Sequence, residues 1–201
     1  MGSIISGGET RDWIFSNPVS ERLSMPAVML YKDGKTVGAN IKGRNVLHIA
    51  DLNNEGSSPR DFWVPIIGRA GGNIKNILFY LDRMEDGVKV MRDLGLNAYA
   101  VAPLDAHAWD YLMKIPDSGV TPEIYRQLMN RMEDKNGWAR KMLRSDTGLT
   151  RLVGLFDNSR EREKVRKVLT HGYPDMKDEL LEAIESRTKS GLDVKEWWMG
   201  F

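Results

Sequence analysis

The sequence contains no cysteine. That removes disulfides, thiolate nucleophiles and cysteine-ligated zinc together. Histidine is nearly as scarce: His48, His107 and His171 are the three in the chain, and no two stand at i, i+3 or i+4, so no metal spacing results. No Gly-x-Ser-x-Gly tract supports a Ser/His/Asp hydrolase. Neither charge is in excess, with 29 Lys and Arg against 28 Asp and Glu. A cut at residue 120 uncovers no hidden asymmetry, with 13 basic and 14 acidic side chains before it and 16 and 14 after it. A protein that coats a polyanion carries a large basic excess, so generic electrostatic binding of nucleic acid is disfavoured. No apolar run approaches the roughly 20 residues that a membrane span needs. The opening Met1-Gly2-Ser3-Ile4-Ile5-Ser6 has neither the basic n-region nor the long apolar stretch of a signal peptide. The expectation is a soluble, cytoplasmic protein, and 201 residues at 41% hydrophobic suffice to bury a core.

What the chain does have, in its first half, is an alternation of apolar runs with amphipathic stretches. The runs are Ile4-Ile5, Ala27-Val28-Met29-Leu30-Tyr31, Val46-Leu47-His48-Ile49-Ala50, Ile77-Leu78-Phe79-Tyr80-Leu81 and Ala98-Tyr99-Ala100-Val101-Ala102. Several are continuously apolar, as strands buried on both faces are. Helices are predicted over 11–24, from Ser58-Pro59 to Gly71-Gly72, over 84–94 with Gly95 as its left-handed stop, and over 105–114. Strand alternating with helix means a parallel sheet with helices on both faces. Tyr31-Lys32-Asp33-Gly34-Lys35 reads as a hairpin turn. Beyond residue 115 the strand signal ends. Helices follow from Thr121-Pro122, from Ser159 through about 169 and from Pro174, the last with Met176, Leu180, Leu181 and Ile184 inward. The chain closes on Trp197, Trp198 and Phe201, a tail docked on the body or a subunit contact. The expected organisation is an α/β domain over 1–115 and a helical C-terminal extension over 116–201.

In open α/β sheets, ligands bind outside the carboxyl ends of the strands. There the segment Val46-Leu47-His48-Ile49-Ala50-Asp51-Leu52-Asn53-Asn54-Glu55-Gly56-Ser57-Ser58 stands out. It reads as a buried strand, a carboxylate just past it, a polar turn with a glycine, and a Ser-Pro helix start. Such a turn aims backbone N–H groups and the positive end of a helix at one spot, which is how backbones hold phosphate. Alternatives stay open for the remaining polar residues. Gly7-Gly8 is a plain tight turn or a ligand loop, and Asp82-Arg83 an internal ion pair or a ligand site. Lys32 and Lys35 flank a turn, where solvated lysines are the default. His48 is a core histidine with both nitrogens satisfied, and the alternating charges from Arg160 to Lys167 form a solvated helix face.

At these residues the sequence resembles the type I phosphoribosyltransferases, most closely the orotate branch. The signature of that family is four hydrophobic residues, two acids, and a Thr- and Gly-rich loop that wraps the 5-phosphate of phosphoribosyl pyrophosphate (PRPP). Upstream, Ile5-Ser6-Gly7-Gly8-Glu9-Thr10-Arg11-Asp12 is similar to the family's first strand and pyrophosphate loop. Downstream, Phe79-Tyr80-Leu81-Asp82-Arg83 matches the strand ending in Asp-Arg, and Gly95 and Leu104-Asp105 fit the last strand and helix. The resemblance implies a type I phosphoribosyltransferase-like fold and transfer of a phosphoribosyl group from PRPP to a nitrogenous base. Asp51 would meet the ribose hydroxyls, and Asn53, Asn54, Glu55, Gly56, Ser57 and Ser58 the 5-phosphate. Gly7, Gly8, Glu9, Thr10 and Arg11, with Lys32, would meet the pyrophosphate. Magnesium would come with the pyrophosphate rather than in a protein cage, and the assembly would be a homodimer.

The chain also departs from that pattern. Ala50 stands where the family has the first of two acids, and Glu55 adds a charge to the phosphate loop. Two unit charges about 5 Å apart at an effective dielectric near 20 repel by roughly 3 kcal/mol. Arg11-Asp12 replaces small residues, with Arg11 either on a phosphate or paired to Asp12. The mobile loop shortens to about residues 35–42, and no stretch before the first strand matches the family's N-terminal base-binding segment, so the expectation is that the helical extension replaces it or that the sequence is part of a longer protein. These departures imply reduced or lost turnover. The alternative to an enzyme is a non-catalytic domain that keeps the fold and binds PRPP or a nucleotide.

Overall fold

The structure is a computed structural model that describes residues 3–200, so Phe201 of the aromatic tail lies outside it. The chain divides into two compact units, Met1–Tyr125 and Arg126–Phe201. The first carries a six-stranded sheet in the order β3-β2-β1-β4-β5-β6. Its strands are β1 (Ile4–Gly8), β2 (Ala27–Leu30), β3 (Thr36–Gly38), β4 (Asn45–Asn53), β5 (Asn73–Asp82) and β6 (Asn97–Pro103). All neighbours pair in parallel except β2 with β3. The sheet is therefore parallel, as expected, except at one edge, where the expected hairpin turn reverses the chain. The reason is the Asp33-Gly34 turn: Gly34 takes φ 94°, the chain reverses, and residues expected as loop pair back onto β2.

Between the strands lie α1 (Asp12–Arg22), a π-helical turn (Pro59–Trp63) continuing into α2 (Val64–Arg69), α3 (Asp86–Asp93) and α4 (Ala106–Lys114). Adjacent residues of a strand point to opposite faces, and β1 shows the consequence. A methyl group on Gly7 would overlap Ser16 of α1, and one on Gly8 would overlap the Trp63 ring. Thus α1 lies against one face, and the π turn against the other, at contact distances only glycine permits. On the Trp63 face, Ile4, Val28, Leu30 and Val46 pack with Ile66 and Ile67. Further along, Ala50, Ile77 and Phe79 pack with Met91 and Leu96. Gly95 ends α3 at φ 69°, as expected, with the Leu96 N–H returning to the Met91 carbonyl at 3.0 Å.

The second unit is helical among the described residues: most of α5 (Pro122–Glu133), then α6 (Lys135–Arg144), α7 (Asp146–Asp157), α8 (Arg162–Lys167), α9 (Lys177–Arg187) and α10 (Val194–Met199). Its core joins Leu152, Phe156, Val165, Leu169, Met176, Leu180 and Ile184. Trp197 of the tail packs edge-on to Phe156, with centroids 5.0 Å apart, within this unit. Ser159 does not open the charged helix. The chain instead turns at Asn158, whose carboxamide accepts the Arg160 N–H at 3.1 Å, and α8 starts at Arg162. No helix among the described residues is long and apolar enough to cross a membrane.

Because Trp63 is 2% exposed, its ring cannot move aside for a new methyl group. Gly8→Ala should therefore destabilise the α/β unit by about 1–3 kcal/mol, the range for overpacking a filled core. Chemical denaturation followed by Trp fluorescence checks it, with loss of less than 0.5 kcal/mol counting against this account.

Candidate functional site

At the carboxyl rim of the sheet, the β1–α1 connection and the β4–α2 connection bound one cleft of about 270 Å³. Glu9, Arg11, Asp12 and Lys32 line it on one side, residues 50–59 on the other, with Trp63 and Phe79. Two stretches more than forty residues apart meet because β1 and β4 are adjacent and parallel. Their following loops must then leave the same edge of the sheet.

The centre of the cleft is Asp12. Its Oδ2 accepts the Gly8 N–H at 3.1 Å and its Oδ1 the Asp51 N–H at 2.9 Å. One carboxylate thus closes the end of β1 and reaches across to β4. Behind it His48 is fully buried. Its Nδ1 shares a 2.9 Å hydrogen bond with the Ser6 hydroxyl, while its Nε2 has no hydrogen-bond partner and stands 3.7 Å from Asp12 Oδ2. The expectation that both ring nitrogens are satisfied thus holds for one.

Asp51 is half-buried, and Arg11 Nε lies 3.0 Å from its Oδ2. Arg11 therefore pairs with Asp51, not with Asp12. Asp12 is nearly buried against the end of β1, whereas Asp51 is half-buried and within reach of the exposed guanidinium. Burial pushes the Asp51 carboxyl above its ordinary value, Asp12 adds to the rise, and Arg11 opposes it. A raised carboxyl favours the fold most when protonated, and that gain is lost as pH climbs through the folded pKa. Burial and Asp12 thus both work against the charged form of Asp51, with Arg11 on the other side.

The turn after β4 is shorter than the sequence suggests. β4 runs to Asn53, so Asp51 and Asn53 lie in the strand and Asn54, Glu55 and Gly56 make the turn. Gly56 takes φ 68°, and its Cβ would press on Val90 and Met91, so glycine is needed on both counts. The helix has begun by Ser57. Ser58 is itself helical, at φ −62° and ψ −47°, and its hydroxyl caps nothing, because Gly56 already supplies the break in the chain. Asn53 is 1% exposed and donates to Asp82 Oδ2 at 2.9 Å, while Asp82 Oδ1 accepts the Met84 N–H at 2.7 Å. Asp82 thus braces the turn, and Arg83 pairs with Glu85 rather than with Asp82.

Of the residues singled out in the sequence, Glu9, Arg11, Lys32, Asp51, Asn53, Asn54, Glu55, Gly56, Ser57 and Ser58 line the cleft together. Gly7 and Gly8 do not: they are buried inside β1, where helix packing, not a turn, demands glycine. Thr10 is exposed and outside the lining. Sequence reasoning missed Asp12 as the organising group, and with it His48, Ser6 and Trp63. A carboxylate four residues beyond a glycine-ended strand was the available signal. Removing the guanidinium in Arg11→Ala should raise the Asp51 pKa further, since Arg11 is what holds it down. A ¹³C NMR titration of side-chain carboxyls checks this, and an unchanged or lowered Asp51 would contradict the pairing.

No protein-family model matches the chain. Orotate phosphoribosyltransferase of Roseobacter denitrificans is 29% identical over 128 residues, 59% of this chain and 55% of the relative. That of Sinorhizobium medicae is 31% identical over 108 residues, 49% of this chain and 46% of the relative. Among solved structures, orotate phosphoribosyltransferase of Francisella tularensis matches with a TM-score of 0.55 at 17% identity, over 65% of this chain and 68% of that one. The chain spans about half the length of the curated relatives it matches. In sequence the chain is similar to orotate phosphoribosyltransferases over about half its length, and its first unit has the type I phosphoribosyltransferase fold.

Proposed function

We propose that the cleft binds PRPP and that the chain transfers its phosphoribosyl group to a nitrogenous base, with orotate the first base to try. The observation that carries this reading is the meeting of the β1–α1 and β4–α2 connections in one cleft. A ligand there reaches a strand-end carboxylate and the start of a helix at once. Asp51 accepts the ribose hydroxyls. The turn at Asn54, Glu55 and Gly56, with the N–H groups of Ser57 and Ser58, holds the 5-phosphate. First-turn N–H groups have no intrahelical acceptor and favour an anion. Asn53 stiffens that turn through Asp82. Glu9, Arg11 and Lys32 lie on the side given to the pyrophosphate. Glu9 already accepts the Lys32 N–H at 2.8 Å, which joins the two strand ends into one wall.

The lining carries the carboxylates Glu9, Asp12, Asp51 and Glu55 against the cations Arg11 and Lys32. Such a surface repels a bare polyphosphate and suits one that brings its own divalent cation. Among the described residues no group of three or more ligands forms a metal cage, so magnesium would ride on the pyrophosphate with at most one or two protein carboxylates. When bound it neutralises charge building on the leaving group. The protein's own part is to position the sugar and stabilise positive charge at the ring with carboxylate. Arg11 must release Asp51 for the hydroxyls to enter. A pair so exposed is worth only about 0.2–1 kcal/mol, so the ligand can displace it.

Ile14, Leu23, Tyr80, Tyr99 and Val101 are exposed apolar side chains of the α/β unit, and Tyr80 stacks on Phe15 at 5.0 Å. Such surface supports a homodimer. Binding without turnover is the second reading. It is favoured by the Arg11 pair on Asp51 and by Ala50, which faces the core. Calorimetric titration with PRPP, with and without magnesium, separates the outcomes. We expect binding that weakens at least tenfold without magnesium, together with orotate-dependent pyrophosphate release. Binding without release under any common nucleobase would favour the second reading, and no binding would overturn both.

A further inference from the structure

A sugar diol presents two hydroxyl donors side by side, and a site that grips both needs two acceptors at matching spacing. β4 cannot supply them alone. Asp51 faces the cleft, but its neighbour there, Ala50, offers only a methyl group and packs in a cluster with Ile77 and Phe79. The second carboxylate near Asp51 comes from another element. Asp12, at the first position of α1, lines the same cleft and accepts the Asp51 backbone N–H at 2.9 Å, which ties its carboxylate to the strand that carries Asp51.

The geometry points to Asp12 as the second carboxylate of the sugar-hydroxyl site, with His48 as the residue that positions it. This rests on the PRPP reading above. Asp12 is only 6% exposed, and a buried anion needs compensation. Two backbone N–H groups provide part of it. His48 is the ring placed to add to it. The Ser6 hydroxyl and Nδ1 share a hydrogen bond at 2.9 Å; in the tautomer in which the hydroxyl donates, the ring carries its N–H on Nε2, the buried nitrogen that lacks a hydrogen-bond partner and stands 3.7 Å from Asp12 Oδ2. The groups around the ring are Ser6 of β1, Asp12 of α1 and Trp63 of the π turn, with ring centroids of His48 and Trp63 5.9 Å apart. Asp12 is thus the one ionisable partner among them. It retains lone pairs beyond its two backbone bonds, since each carboxylate oxygen accepts two.

Two ligands in magnesium buffer test this: PRPP, which carries the diol, and inorganic pyrophosphate, which does not. In Asp12→Asn, PRPP affinity should fall tenfold or more while pyrophosphate affinity changes less than threefold. His48→Leu should reproduce the selective loss, and His48→Gln, which keeps an N–H donor, should recover most of it. If Asp12→Asn weakens both ligands equally, Asp12 is only a brace for the loops and the assignment fails. It also fails if Asp12→Asn binds PRPP like the parent, or if the His48→Leu and His48→Gln proteins, both folded by circular dichroism, behave alike. A parent chain that binds no PRPP overturns the underlying reading instead, which a positive parent titration excludes before any variant is compared.

Discussion

Two backbone N–H groups from neighbouring strands converge on one carboxylate, and most of the rim follows from that contact. Gly8 ends β1 and Asp51 nears the end of β4, yet both donate to Asp12. Parallel strands cannot be joined at their ends by a hairpin, so something else must set how far apart their exit loops stand. Here it is a side chain from the first turn of α1. Acidic groups are favoured at that end of a helix, so the carboxylate is held in place by the helix as well as by the sheet.

The cleft carries tension between stability and chemistry. Burial and Asp12 push the Asp51 carboxyl above its ordinary value, and His48 keeps a buried ring nitrogen without a hydrogen-bond partner. Asn53 and Asn54 likewise each bury a carbonyl oxygen with no hydrogen-bond partner. Unsatisfied polar atoms of this kind are uncommon in packed interiors. That all of them gather around one cleft, and not in the hydrophobic clusters beneath the sheet or in the helical unit, sets this rim apart from the rest of the described chain.

Much of the fold was legible because its signals are local. Apolar runs marked five strands, Gly95 and Asp105 marked helix ends, and Asp33-Gly34 marked a reversal. β3 escaped because Thr36, Val37 and Gly38 have no apolar periodicity; pairing with β2 alone makes them a strand. Ser58 was misread because a left-handed glycine two residues earlier does the work of a cap. For the cleft, residues following β4 could be found from the sequence since they are contiguous. The role of Asp12 could not, because it depends on β1 and β4 lying side by side. Gly7 and Gly8 carried an ambiguous message: glycine marks both flexible loops and close packing, and only the positions of Ser16 and Trp63 decide for packing.

Ala50 limits what one substitution could do at this rim. It lines the cleft and yet belongs to the cluster of Ile77, Phe79 and Met91, so an acidic side chain there would have to carry its charge against apolar neighbours. A carboxylate entering from the first turn of α1 meets polar partners instead, the N–H groups of Gly8 and Asp51.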